Sequence, residues 1–247
     1  MNNFILEKII DKKLHVNKFK DNVPNGLQIE GDSKVKKIIT GVTACQNLLE
    51  KALSHNANTV MVHHGYFWKN ESKYIHNMQR NRLKTILSNN INLYSWHLPL
   101  DIHPKLGNNA QIAKKLNISI KGYILPHVPW GVIQNSITGY EFARKIEKKY
   151  KKYPIYLNDN APSLINKIAW CSGKGQGFIK EAYRFGIDAF LTGEISEETL
   201  HISRELGIHF FALGHHATEK DGIKSLGNWL FKKYNLDVNF IDIYNPA

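Results

Sequence analysis

The sequence has little cysteine and no long apolar run. Its two cysteines, Cys45 and Cys171, are too few for a disulfide framework and lack the CxxC spacing of a zinc ribbon, so we interpret both as reduced structural thiols. No stretch approaches the roughly 18 apolar residues that a membrane-spanning helix needs. The N-terminus lacks a basic region and a small-residue cleavage site, and predicts an amphipathic helix instead of a signal peptide. We therefore expect a cytoplasmic protein with no membrane partner.

Arginine is also scarce, since 28 of the 33 basic residues are lysine. The formal net charge of +12 is compatible with binding nucleic acid or another polyanion. Bidentate recognition of phosphate and guanine, however, favours arginine. The lysines are scattered, mostly over predicted polar helix faces. The composition therefore disfavours nucleic acid as the main partner without excluding it.

Hydrophobic residues make up 43% of the 247-residue chain, which is ample for a packed core in one or two domains. Two segments share the predicted order strand, helix, strand, and short links between these elements are typical of parallel βαβ units. The first has a strand over 37–43, a helix over 46–54 and a strand over 59–64; the second has a strand over 167–171, a helix over 177–185 and a strand over 188–194.

The two segments align without gaps at an offset of 130 from Leu48 and Phe178 onward, and a further strand and an amphipathic helix follow each. Chance similarity is the alternative, because all βαβ units share an apolar pattern. We interpret the pattern as two similar α/β domains related by internal duplication. The glycine- and proline-containing stretch 122–131 predicts the boundary between the halves. We predict an N-terminal domain over 1–125 that the C-terminal segment 206–247 completes, and a second domain over 126–205.

Polar side chains follow several predicted strands, at the edge where parallel α/β sheets bind ligands. They are His63, His64, His97, Asp101, Glu194, His215 and Glu219. Imidazole and carboxylate together suit Zn, Fe, Mn or Ni, and His215 and Glu219 share one helix face because they are four residues apart. A single histidine at a strand end is more often only a satisfied polar residue, but the joint occurrence predicts a site for two divalent metal ions.

Three further features leave alternatives open. The segment Ser172–Gly177 precedes a predicted helix and suits either an anion contact or a tight turn, the turn being favoured. The run Tyr66-Phe67-Trp68 suits either stacking on a base or a place in the core. His103 lies two residues past Asp101, and its role is ambiguous.

Seven segments resemble motifs of the GTP cyclohydrolase I type 2 homolog family, also known as NGG-one-interacting-factor-three-like proteins. They are Pro24–Gly31, Gly41–Ala44, Val62–Trp68, Trp96–Asp101, Leu106–Asn109, Thr192–Glu194 and Gly214–Glu219. The resemblance spans essentially the whole chain, and the length resembles that of the short bacterial form. It implies two similar α/β domains, with the C-terminal segment returning to the first.

The resemblance also implies a toroidal homohexamer with a dinuclear metal site in each subunit. By motif match, His64 and Asp101 would hold one ion, His63 and His215 the other, and Glu219 would bridge both. His97 matches a position beside the metals, as a ligand through water or as a support for the ligands.

From these expectations we predict a metal-dependent hydrolase that acts on a nucleotide or a related small molecule. His97 is its candidate catalytic proton carrier. The alternative from another class is a hexameric scaffold or metal-delivery protein without catalysis. A third is nucleic-acid binding by the ring. The sequence names neither the metal nor the substrate.

Overall fold

A computed structural model describes residues Met1–Ala247. The helices are α1 Asn3–Leu14, α2 Gln46–Ser54, α3 Asn77–Ser88, α4 Leu98–Ile102, α5 Asn108–Leu116, α6 Gly139–Tyr150, α7 Ile179–Arg184, α8 Glu197–Leu206 and α9 His215–Tyr234. The strands are β1 Gly26–Ile29, β2 Lys37–Thr43, β3 Thr59–His64, β4 Asn92–Ser95, β5 Ile118–Leu125, β6 Val128–Ile137, β7 Ile155–Leu157, β8 Ile165–Cys171, β9 Ala189–Thr192, β10 His209–Ala212 and β11 Asp237–Phe240. Short 3₁₀ turns cover Val16–Lys18 and Gln176–Phe178.

The chain folds as two compact units, each with its own sheet. Unit 1 comprises Met1–Gly107 and Gly222–Tyr244, and unit 2 comprises Asn108–Asp221 and Asn245–Ala247. Helix α9 begins in unit 2, and its residues from Gly222 onward belong to unit 1. No helix has both the length and the apolar character needed to cross a bilayer.

Unit 1 is built on a five-stranded sheet in the order β1-β4-β3-β2-β11. Strands β11, β2, β3 and β4 run parallel, and β1 pairs with β4 in the antiparallel sense. The central strand β3 is buried on both faces: Met61 packs in the cluster with α1 and α9, whereas Val60 and Val62 pack in the cluster with α2. A strand covered on both sides reads as a continuous apolar run, which is why the sequence predicts β3 at its observed bounds.

Unit 2 is built on a six-stranded sheet in the order β5-β6-β8-β9-β10-β7. Strands β8, β9 and β10 run parallel and form its centre. Strands β5, β6 and β7 join in the antiparallel sense. Helix α6 covers one face and begins with a capping box, in which Thr138 and Glu141 satisfy each other's backbone amides.

The predicted α/β class with two similar domains is confirmed. In unit 1, Ile38 pairs with Thr59 and Gly41 pairs with Val62. In unit 2, Ile168 pairs with Ala189 and Cys171 pairs with Thr192. Each of these residues lies 130 positions after its counterpart, so the two parallel strand pairs have the same register.

The boundaries of the units differ from the predicted limits at 125/126 and 205/206. Residues 122–131 were predicted to link the halves, but they lie in the antiparallel hairpin formed by β5 and β6. Gly122 and Gly131 lie within these strands, next to a shift in the pairing register. Strand β5 therefore belongs to unit 2, as does β10, because it pairs with β9 and β7. The C-terminal segment still completes unit 1, through β11 on β2.

Candidate metal centre

The His63–His64 pair ends strand β3. His63 is buried, and its Nδ1 lies 3.0 Å from the carbonyl oxygen of Trp96. Because a carbonyl oxygen only accepts, Nδ1 carries a proton, and Nε2 is the ring nitrogen that could ligate a metal. That Nε2 lies 3.5 Å from Oδ1 of Asp101. Orientation of one ring nitrogen by a backbone carbonyl is the arrangement usual for a histidine that ligates metal through the other.

His64 points its Nδ1 toward the hydroxyl of Thr43, at 3.2 Å, at the end of the neighbouring strand β2. The ring centroids of His63 and His64 are 4.6 Å apart, and that of His97 is 5.1 Å from His63. One nitrogen from each of these three rings lies within 4.8 Å of the others. Three imidazoles from the ends of two strands therefore converge in unit 1.

Asp101 completes this group from helix α4, which begins directly after His97. Its backbone N–H donates to the carbonyl oxygen of His97 at 3.1 Å, and its side chain is buried. Pro99 lies in the first turn of α4, where backbone N–H groups have no acceptor within the helix, so the missing N–H of proline does not destabilise α4. The short helix thus turns a carboxylate back toward the histidine pair.

Asp21 orients His97 and was not predicted from the sequence. The Nδ1 of His97 lies 2.9 Å from one Asp21 oxygen, and the N–H of Leu98 donates to the other at 3.0 Å. Asn25 accepts from the backbone N–H of His97 at 2.7 Å and donates to Asp21 at 3.0 Å. Burial opposes ionisation of Asp21, but these hydrogen bonds and the charge of His97 outweigh it and lower the pKa of Asp21 to about 2.

A second group lies in unit 2, where helix α9 begins. His215 is the first residue of that helix; its Nδ1 is 2.7 Å from Glu194 and its Nε2 is 2.9 Å from Glu219. Glu194 follows strand β9, and the four-residue spacing places Glu219 one turn along α9. Burial disfavours the charged imidazole, but the hydrogen bonds and charges of Glu219 and Glu194 prevail and raise the pKa of His215 to about 9.

The glycine-rich segment Ser172–Gly177 supports this second group. A Cβ atom on Gly173 would lie 2.1 Å from Oε1 of Glu219 and 3.0 Å from Nε2 of His215, and the φ of Gly173 is +62°. The backbone N–H groups of Ser172, Gly173 and Gly175 donate to side-chain oxygens of the protein. The segment is a tight turn that brings the backbone close to Glu219, and these three amides already have acceptors other than an anionic ligand.

The structure thus groups the predicted residues within each unit. Unit 1 brings together His63, His64, His97 and Asp101, and unit 2 brings together His215, Glu194 and Glu219. His103 takes another role, because its Nδ1 accepts the backbone N–H groups of Lys105 and Leu106. Sequence reasoning missed Asp21, which lies in a loop away from every strand end and follows no periodic pattern.

Both groups fit a divalent metal ion by the chemistry of their donor atoms. In unit 1, Nδ1 of buried His63 is held by a backbone carbonyl, and its Nε2 lies 3.5 Å from a carboxylate oxygen. In unit 2, two carboxylates stabilise positive charge on the His215 ring, and their negative charge would also stabilise a bound cation. Mixed imidazole and carboxylate ligands are those that Zn, Fe, Mn and Ni accept.

Comparison with known proteins identifies the family of the chain. The sequence model of the Duf34/NIF3 (NGG1p interacting factor 3) family matches residues 1–246. The chain belongs to this family. The resemblance seen in the sequence motifs is thereby confirmed over essentially the full length.

Relatives within the Duf34/NIF3 family include a protein named GTP cyclohydrolase 1 type 2 homolog from Buchnera aphidicola subsp. Acyrthosiphon pisum, which is 76% identical over the full length of both chains. A solved structure of protein ybgI, described as of unknown function, is 54% identical, with a TM-score of 0.99 and full coverage of both chains. The structure of TTHA1606 from Thermus thermophilus is 28% identical, with a TM-score of 0.92 and full coverage of both chains. The two-unit α/β fold is therefore that of the Duf34/NIF3 family.

Proposed function

We propose that the two groups act together as one dinuclear metal site. His63 and Asp101, whose side chains lie 3.5 Å apart, would hold one divalent ion, His64 and His215 would hold the other, and Glu219 would contribute to both. This pairing replaces the one implied by the resemblance, in which His64 goes with Asp101 and His63 with His215. The observation that carries the proposal is the pair of His63 contacts, in which Nδ1 is fixed by the Trp96 carbonyl while Nε2 lies 3.5 Å from Asp101. The metal is one of Fe, Zn, Mn or Ni, all of which accept this ligand set.

The bound ions would supply Lewis-acid polarisation of the substrate and activation of water for hydrolysis. The residues around them would orient the ligands and move protons. Glu194, 2.7 Å from Nδ1 of His215, would fix that ring so that Nε2 can ligate metal once the proton there is displaced. This role resembles that of the Trp96 carbonyl toward His63.

His97 would be the catalytic proton carrier. Because Asp21 stays ionised and accepts from Nδ1, it holds the His97 ring in one orientation. Nε2 would then take a proton and return it, as a general base and acid. Asp21 would be a positioning residue, since it acts through His97.

The substrate would be a nucleotide or a related small molecule, and relatives carrying the name GTP cyclohydrolase 1 type 2 homolog support a test with GTP. Purified protein loaded separately with Fe, Zn, Mn or Ni would be screened against nucleotides, and we expect turnover that a chelator abolishes. Glu219→Gln should remove at least 90% of this turnover, because the bridging carboxylate is lost.

The matched control is Glu197→Gln, which alters another glutamate four residues from a histidine. The pair Glu197–His201 is 3.3 Å apart and exposed on helix α8, and this variant should keep full turnover. Absence of turnover with every metal, while the protein retains its ions, would favour a metal-binding scaffold or metal-delivery protein over a hydrolase.

We also propose that the chain assembles as a toroidal homohexamer, as the family resemblance implies. Native mass spectrometry should then give six copies of the 28.4 kDa chain. A monomer or a dimer at micromolar concentration would contradict this assembly.

A further inference from the structure

The loop after the His63–His64 pair exposes a large aromatic side chain on an unfavourable backbone. Phe67 has a φ of +66°, in the left-handed region that bulky residues rarely adopt. Its side chain is 45% exposed, so burial in this chain does not offset the cost. Backbone strain of this kind persists only where the surroundings enforce it, and it concentrates at functional sites.

A carboxylate enforces the conformation. One oxygen of Glu71 accepts from the backbone N–H of Phe67 at 2.7 Å and from that of Trp68 at 3.1 Å. The indole N–H of Trp68 donates to the carbonyl oxygen of Gly65 at 3.2 Å. The loop backbone and the Trp68 ring are thus held before any ligand arrives, which reduces the entropy lost on binding.

The adjacent Tyr66 differs from both. It is buried, and its hydroxyl donates to the carbonyl oxygen of Ala44 at 2.7 Å. The side chain of Gln28 accepts from the backbone N–H of Tyr66 at 2.8 Å and donates to the carbonyl oxygen of Tyr66 at 3.0 Å. Tyr66 is therefore a core residue that anchors the loop, and of the three aromatics only Phe67 and Trp68 remain as candidates for a ligand contact.

The loop places Trp68 beside the metal-ligand group of unit 1. Its ring lies 5.0 Å from that of His97 in an edge-to-face arrangement and 6.1 Å from that of His64. A planar ring bound against Trp68 would have its reactive edge near these two histidines, and exposed Phe67 is the adjacent residue of the loop. Aromatic side chains bind any base through its π face, and each such contact strengthens binding substantially.

We propose that Phe67 and Trp68, here called the aromatic shelf, bind the planar heteroaromatic ring of the substrate and so select purine-like bases over compounds without a base. The inference rests on the proposed function insofar as it assigns the ligand to the same site. Glu71 is a positioning residue of the shelf, since it acts through the backbone of Phe67 and Trp68.

Equilibrium dialysis of the metal-loaded protein against GMP and ribose 5-phosphate tests the shelf, because these two probes differ only in the base. We expect GMP to bind about tenfold or more tightly than ribose 5-phosphate. Phe67→Ala and Trp68→Ala should each weaken GMP binding about tenfold and leave ribose 5-phosphate unchanged, whereas Phe67→Tyr and Trp68→Phe should retain the preference. Glu71→Ala should weaken GMP binding without loss of metal.

Phe4→Ala is the matched control, because Phe4 is 46% exposed on helix α1 and should not affect either probe. Equal affinity of the wild type for both probes, no binding of GMP, or unchanged GMP binding by the shelf variants would overturn the inference. It would also be overturned if Phe67→Ala altered only the subunit assembly measured by native mass spectrometry. Binding is measured here without turnover, so a protein that selects GMP but hydrolyses nothing would refute the hydrolase proposal alone.

Discussion

Gly173 gives the sharpest test at the scale of single residues. A methyl group there would lie 2.1 Å from the Glu219 carboxylate, so Gly173→Ala must displace that side chain or the turn. We expect the variant to lose metal binding, and to lose roughly 1–2 kcal/mol of stability from the left-handed backbone alone. Elemental analysis and thermal unfolding measure the two effects.

Gly186→Ala separates those two effects. Gly186 also has a left-handed backbone, with a φ of +76°, but a Cβ atom there would meet nothing within 4 Å. This variant should lose a similar amount of stability and keep its full metal content. Equal metal content in both variants would show that Gly173 is needed only for its φ.

Asp21 predicts a pH dependence of stability. Its pKa in the folded state, about 2, lies below the value of 3.8 for the free side chain. A depressed pKa contributes stability that is present above the free value and is lost as the pH falls through the folded value. The size of the shift corresponds to roughly 2 kcal/mol near neutral pH.

Asp21→Asn should therefore be less stable than the wild type at pH 6, and the difference should shrink as the pH falls from about 4 to about 2. Urea unfolding followed at several pH values measures both proteins. A difference that stays constant over this range would mean that the contribution of Asp21 does not depend on its charge.

At the scale of secondary-structure elements, the parallel strands were the most predictable part of the molecule. Strands β2 and β3 and helix α2 have the bounds predicted from the sequence, because buried parallel strands are continuous apolar runs with polar residues at their ends. The candidate ligands follow from the same logic, since His63, His64 and His215 lie at strand ends. Asp21 could not be found this way, because its role depends on a loop that folds back onto His97.

Helix α9 shows what residue spacing alone can predict. The four-residue spacing of His215 and Glu219 predicted that they share one helix face, and the structure begins α9 at His215. The helical conformation places Glu219 one turn after His215, with 2.9 Å between the two side chains.

Strand β1 stabilises the loop that carries the aromatic shelf. Gln28 makes two hydrogen bonds to the backbone of Tyr66 and a third to the carbonyl oxygen of Pro24 at 2.8 Å. Gln28→Ala should increase hydrogen exchange at the amides of residues 66–68, because the loop loses its attachment to the sheet. Gln46→Ala, which removes only side-chain contacts of α2, is the control. Unchanged exchange at 66–68 would show that Gln28 is not needed to hold the loop.

At the scale of the whole molecule, the duplication was predictable but the limits of the two units were not. The shared strand–helix–strand pattern carries the repeat, and the equal registers of β2–β3 and β8–β9 confirm it. Residues 122–131 were predicted to be a linker because glycine and proline usually interrupt elements. Whether such residues end a strand or lie within a hairpin depends on pairing partners that are distant in sequence, here β8 for β6.

The central claim is that residues of both units hold the same pair of ions, and metal content per subunit tests it most directly. Elemental analysis of wild-type protein reconstituted with a single metal should give about two ions per subunit, as a dinuclear site requires. His64→Ala and His215→Ala should each retain about one ion, and Glu219→Ala should lose both, because we propose that its carboxylate helps to hold each ion. His201→Ala, which alters an exposed histidine paired with Glu197, should keep about two. Full metal content in the Glu219→Ala variant, or no metal in the reconstituted wild type, would contradict the account.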